Sequence, residues 1–172
     1  MFRFFISAGA SARLIFYATA RGDGRAAVGS AVVVVPFARK DRPLPVIAWA
    51  HGTTGIVPGC APSLSGKPFD NLPALEELIG RGWAVVAADY VGLGTSGPHA
   101  YLVGEDAARG ILDAVRAATA MPDLALSRET VIWGHSQGGH AALFAAGRAT
   151  EYAPDLAVLG VVAMARRPIF PR

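Results

Sequence analysis

Ser136 lies in Gly134-His135-Ser136-Gln137-Gly138, a Gly-x-Ser-x-Gly pattern. A serine hydroxyl attacks an acyl carbon efficiently only when its oxygen is held clear of the backbone, a base can take its proton, and N–H donors await the oxyanion. A tight strand-to-helix turn meets the first and last of these conditions. The β-prone run Thr130-Val131-Ile132-Trp133 precedes the pattern, and an Ala-rich helical stretch, His140 to Ala149, follows it. This setting predicts a nucleophile elbow with Ser136 in strained backbone angles. Side chains at positions 134 and 138 would collide with such a turn, which accounts for Gly134 and Gly138, while His135 fills the variable position before the serine. The helix behind the turn begins with unpaired N–H groups and partial positive charge, so the N–H of Gln137 is the first candidate oxyanion donor.

A second donor is expected from an earlier strand-to-loop junction. Pro45-Val-Ile-Ala-Trp-Ala50 reads as a buried strand ending in His51-Gly52-Thr53-Thr54-Gly55. The N–H of Thr53 is the first choice as donor and that of Thr54 the second. His51 and His135 belong to the two motifs. His99 sits in a loop before the elbow, and His140 lies on the following helix, four residues past the serine. All four are read as structural or site-lining rather than as the base. Cys60, the single cysteine, has Pro, Gly and Ala around it and reads as an ordinary thiol that neither closes an intrachain disulfide nor makes a metal site.

The elements that must position these residues alternate between apolar runs and helical stretches, the signature of an α/β fold with a mostly parallel sheet. Arg13 to Thr19 and Val28 to Pro36 flank Gly22-Asp23-Gly24 and predict an antiparallel N-terminal hairpin. A helix burying Leu72, Leu75, Leu78 and Ile79 is expected next, capped by Asp70 or Asn71 with Pro73 in its first turn and ended by Gly80 or Gly82. Trp83 to Asp89 follows as a strand and Tyr90 to Pro98 as a Gly-rich loop. Glu105 to Ala120 reads as a helix on which Glu105, Arg109, Asp113 and Arg116 share a solvated face opposite Ala107, Ile111, Ala114, Val115 and Ala118. Leu156 to Met164 is expected as a last buried strand.

The whole chain, residues 1–172, is read as one domain, long enough for a sizeable core. Apolar residues make up 52% and charged residues 17%, which excludes a disordered tail or a coiled coil. The apolar runs are too short to span a bilayer. The +3 formal charge is spread without the basic-aromatic pattern of a nucleic-acid module. The apolar stretch Phe4 to Ile6 is too short for a convincing secretory signal.

His51-Gly-Thr-Thr-Gly55, then Cys60-Ala-Pro-Ser63, Asp89-Tyr-Val-Gly-Leu-Gly94 and Gly134-His-Ser-Gln-Gly-Gly-His140, in this order, resemble the secretory lipase family of the α/β-hydrolase superfamily. The resemblance covers roughly Ala12 to Ala165 and is far more specific than the pentapeptide alone. It implies a serine carboxylic ester hydrolase acting on acylglycerols or related lipid esters, extracellular, with no metal and no organic cofactor. The elbow is equally compatible with amide, thioester or polyester cleavage. It also implies a disulfide between Cys60 and a later cysteine.

In α/β-hydrolases the triad runs serine, acid, histidine. The strands that would carry the acid and the histidine beyond Met164 are missing here, so the resemblance implies a truncated chain with impaired turnover. The alternative is a non-catalytic fragment that binds lipid or associates with a partner chain through the exposed sheet edge.

Overall fold

The computed structural model describes residues 3–6, 9–37, 42–66, 68–70 and 72–164. Strands β1 (Arg3–Ile6), β2 (Ala10–Ala20), β3 (Ala26–Pro36), β4 (Leu44–Ala50), β5 (Ala84–Ala88), β6 (Leu126–His135) and β7 (Ala157–Met164) form one seven-stranded sheet, in the order β1-β2-β3-β5-β4-β6-β7. The hairpin β2–β3 is antiparallel, as the Gly-Asp-Gly turn predicts, with Ala20 opposite Ala26. β1 and β5 also pair antiparallel with their hairpin neighbours. From β5 through β4 and β6 to β7 the ladders are parallel. The segment around Phe4 to Ile6 is thus an edge strand of the sheet.

The central strands are buried on both faces, which explains why they read as continuous apolar runs rather than as alternating ones. Val33, Val46, Ala48, Val86 and Ile132 point into one core, against helices α2 (Gly104–Thr119) and α3 (Gln137–Tyr152). Val32, Val34, Ile47, Trp49 and Val85 point into the other, against α1 (Leu75–Gly80) and Leu72.

β5, β6 and β7 follow α1, α2 and α3 in turn, and with β4 they run parallel and end at the same edge of the sheet. After β4 the chain returns beside it as β5 on one flank, and then as β6 on the other. This reversal puts the loop after β4 between two neighbouring loops, the position where open α/β sheets bind ligands.

Four local expectations need correction. The last strand, β7, expected to be buried, is mostly exposed, because it pairs with β6 alone among the described residues. The first helix is shorter than its pattern suggests. It starts at Leu75, and Ala74, in left-handed conformation (φ 55°), precedes it without a side-chain cap, so neither Asp70 nor Pro73 serves the first turn; Asn71 lies outside the described residues. Leu72 is buried ahead of the helix. α3 begins at Gln137 rather than His140, because the elbow turns directly into it. The charged row on α2 is also not a solvated face. Asp113 is buried and accepts hydrogen bonds from Thr19 Oγ1 at 2.8 Å and Tyr152 Oη at 2.7 Å. β2 and α3 pack over that side of the helix, and the two hydroxyls and Arg116 satisfy the carboxylate there. Asp106, in the helix's first turn, accepts from the Gly22 N–H at 2.8 Å and ties the hairpin turn to α2.

Candidate active site

Ser136 occupies the junction of β6 and α3 with φ 57° and ψ −117°, backbone angles that a non-glycine residue adopts only under constraint. The constraint is visible around it. A Cβ at position 134 would run into the Gly138 carbonyl, and one at 138 into the Ala50 carbonyl at the end of β4. Three backbone bonds hold the turn: Ser136 N–H donates to Met164 O at 2.6 Å, and Gly139 and His140 N–H donate to Ser136 O at 2.9 and 3.2 Å. Ser136 and His135 are exposed while Gln137, Gly138 and Gly139 are buried, so the turn lifts the serine out of the sheet edge. Gln137 is the first residue of α3, where the N–H has no partner within the helix.

The loop after β4 lies against this turn. A Cβ at Gly52 would stand 3.3 Å from both Nδ1 and the carbonyl of His135 and 3.6 Å from Ser136 Cβ. Trp49, Gly52, Thr53, Thr54, His135 and Ser136 line one cavity of about 260 Å³. The two predicted loci, more than eighty residues apart in the chain, therefore share a single cleft.

Buried polar residues anchor the loop from below. Asp89 accepts from Ser30 Oγ at 2.7 Å and from the Ser63 N–H at 2.9 Å, and burial raises its pKa above the usual carboxylate value despite those bonds. Tyr90 Oη donates to His51 O at 3.0 Å, and its ring packs 4.5 Å from the His51 ring. His51 faces two carbonyl oxygens, Gly52 at 2.6 Å from Nδ1 and Asp89 at 3.2 Å from Nε2. Burial pushes its pKa below the ordinary histidine value, against the opposing pull of the two carbonyl contacts, so the ring is engaged with backbone. His140 packs on Phe144 with its Nδ1 buried and without a hydrogen-bond partner. Among the described residues no imidazole is hydrogen-bonded to the Ser136 hydroxyl.

Pattern reasoning read His99 only as structural or site-lining and passed over Tyr101, and both stand at the mouth. The amide nitrogen of Gln137 lies 3.0 Å from His99 Nε2, and Thr53 Oγ1 lies 3.0 Å from Tyr101 Oη. Their only sequence signal is the Gly-rich stretch before them. Gly92, at φ 88°, leaves the space through which Pro98 and His99 pass, since a Cβ there would come within 2.5 Å of the His99 nitrogen.

Cys60 is partly buried under the same loop, its Sγ where a side chain at Gly55 would stand, and is a free thiol among the described residues. No group of three or more His, Cys, Asp or Glu among those residues is placed to hold a metal ion. None of their helices is long and apolar enough to cross a membrane.

A family model described as secretory lipase matches residues 70–167. A protein named a probable inactive lipase, from Mycobacterium tuberculosis, is 30% identical over 152 residues, which are 82% of this chain and 33% of that protein. Lipase A of Moesziomyces aphidis is 28% identical over 84% of this chain and 32% of its own length. Among solved structures, Candida antarctica lipase A in its closed state superposes with a TM-score of 0.76 at 22% identity, over 92% of this chain and 39% of that one. The rice cell wall degrading esterase LipA from Xanthomonas oryzae gives 0.73 at 25% identity, over 90% and 42%. The chain spans about a third of the length of the curated relatives it matches.

Proposed function

The chain belongs to the secretory lipase family and has the α/β-hydrolase fold, and on that premise we propose that it performs serine-based ester chemistry with Ser136 as the nucleophile. The observation that carries this reading is the strained, exposed Ser136 facing the Thr53 loop across one cleft. In the proposed step Ser136 Oγ attacks the ester carbonyl carbon, its proton passes to a base, and the carbonyl oxygen becomes an oxyanion held by the N–H groups of Gln137 and Thr53. Collapse of this intermediate expels the alcohol and leaves an acyl-serine, which water then hydrolyses. Gly134, His135 and Gly138 shape the turn.

The substrate class proposed is carboxylic esters, with acylglycerols or related lipid esters in view, and the site of action extracellular, as the family suggests. No described histidine is hydrogen-bonded to the Ser136 hydroxyl, so the described residues in this reading provide the nucleophile and the two oxyanion donors. Such partial machinery retains roughly 10³–10⁴-fold over water.

Treatment with a fluorophosphonate probe, read by mass spectrometry, tests the proposal. A slow, heat-sensitive adduct on Ser136, absent in Ser136→Ala and accelerated by added imidazole, is expected. A folded sample with no Ser136 adduct even in imidazole overturns it.

The flank of the sheet favours a second reading. Leu159, Val161, Val162 and Met164 on β7, with Leu143 and Phe144 on α3, are exposed. A partner chain bound along this edge would cover them. Concentration-dependent association in size-exclusion chromatography, abolished by Val162→Lys, supports that reading, and a monomer at every concentration removes it.

A further inference from the structure

The two proposed oxyanion donors come from loops that nothing in the sequence joins, yet both are tied to one short segment between β5 and α2. His99 Nδ1 lies 3.3 Å from the Val91 carbonyl, which can only accept, so that nitrogen carries the proton. In the neutral ring Nε2 is then a bare acceptor, matched to the Gln137 side-chain amide that donates to it at 3.0 Å. Burial favours this neutral form by lowering the His99 pKa. Gln137 is 5% exposed, and its other amide atom, Oε1, is buried with no hydrogen-bond partner, so this one bond fixes the side chain.

Two residues on, Tyr101 sets its ring edge-on to His99 at 6.1 Å and its hydroxyl 3.0 Å from Thr53 Oγ1. Tyr90 closes the group from below, stacked on His99 at 5.8 Å and bonded to the His51 carbonyl at the root of the Thr53 loop. A continuous line of contacts thus runs from Gln137 through His99 and Tyr101 to Thr53.

We propose that His99 and Tyr101 are positioning residues that brace the oxyanion hole, His99 through the Gln137 side chain and Tyr101 through the Thr53 hydroxyl. The proposal rests on the ester-hydrolase reading of Ser136, and it adds a role for the segment between β5 and α2. An oxyanion donor works only if it already stands at the position the developing charge will occupy. The N–H of Gln137 opens α3, and the N–H of Thr53 sits in an exposed loop. Fastening both to one group of contacting rings sets their separation before substrate arrives.

The test is the rate of fluorophosphonate labelling at Ser136, with imidazole supplied as base, in the full chain and its variants. Removing one oxyanion donor outright costs roughly 10²–10³-fold in rate, so loosening one is expected to cost about tenfold. His99→Leu should therefore label about tenfold more slowly, and Tyr101→Phe several-fold more slowly. His99→Gln, whose amide oxygen can still accept from Gln137, should recover most of the rate. Unchanged labelling in both His99→Leu and Tyr101→Phe, with wild type labelled on Ser136, overturns the brace and leaves the serine reading intact. A folded wild type that does not label on Ser136 overturns the serine reading itself.

Backbone and side-chain amide resonances supply a measurement independent of chemistry. Tyr101→Phe should shift the Thr53 amide, and His99→Leu should shift both the Gln137 side-chain amide and the Thr53 amide. If His99→Leu leaves the Thr53 amide unmoved, the two donors are not coupled and the brace is overturned whatever the labelling shows. Thermal unfolding of each variant, expected to lie close to wild type, separates lost positioning from lost folding.

Discussion

β3 and β7 are built from nearly the same residues. β3 carries Ala31-Val32-Val33-Val34-Val35 and β7 carries Ala157-Val-Leu-Gly-Val-Val-Ala-Met164. Every residue of the β3 run is buried, whereas most of β7 is exposed on both faces. The difference is position. β3 lies between β2 and β5 with helices or loops on both faces, while β7 pairs only with β6, and its outer edge has no neighbour among the described residues. Yet β7 is not idle, because the carbonyl of its last residue, Met164, accepts the hydrogen bond from Ser136 N–H. Its inner edge supports the elbow while no described strand pairs with its outer edge. Valine-rich composition therefore says that a segment suits a sheet, not that it will be buried there.

The largest expected effect is at the elbow that β7 supports. Gly138→Ala sets a methyl group into the Ala50 carbonyl and is expected to cost at least about 3 kcal/mol and to abolish Ser136 labelling. Urea unfolding and probe labelling measure the two effects. Wild-type stability would show that the turn can open, weakening the steric account of both glycines.

Next comes the paired truncation that tests the strand contrast directly. Val33→Ala empties part of a fully buried site and is expected to cost about 2 kcal/mol in urea unfolding. Val161→Ala, 39% exposed, should stay within about 0.5 kcal/mol of wild type. Equal losses would mean that β7 is covered in solution.

A smaller effect of opposite sign is expected at the nucleophile. Ser136→Gly relieves the φ 57°, ψ −117° strain and is expected to add about 1 kcal/mol of stability while removing the labelling site. A destabilised Gly variant would show that the angles carry no stored strain.

The smallest effect is in pH. His51 has a folded pKa below its ordinary value of 6.5, so the unfolded chain binds the proton more readily. Stability should fall as pH drops through that value, and the loss should be complete below the lowered folded pKa. Asp89, raised above its ordinary 3.8, acts in the opposite sense, gaining stability as pH falls through its raised value towards 3.8. Asp89→Asn should therefore make the acid loss steeper between the raised Asp89 value and 3.8, as read from urea midpoints. An unchanged slope would mean that the two groups do not oppose one another.

Much of the fold was readable because its demands are local. A Gly-Asp-Gly between two β-prone runs permits little but a hairpin, and a Gly-x-Ser-x-Gly between strand and helix patterns permits little but a sharp turn. The misread places involve tertiary neighbours. Asp113 shares a helical face with Glu105 and Arg109, and only the packing of Thr19 and Tyr152 against it turns that position inward. The short first helix likewise reflects a chain that leaves Leu72 buried before helical angles begin.

The candidate site divides in the same way. Ser136, Gly134, Gly138 and the N–H of Gln137 were determined by the sequence itself, since the sterics of one tight turn admit few other residues. The Thr53 loop was expected beside Ser136 from its place after a buried strand, but that it closes on the serine across one cleft, and that His99 and Tyr101 reach Gln137 and Thr53, was decided by the tertiary structure. Those pairs are 38 to 48 residues apart for the two braces and further for the cleft, and no periodicity spans such distances. They meet because parallel strands end at one edge of the sheet and the chain reverses direction at β4, bringing the loops after β4, β5 and β6 together.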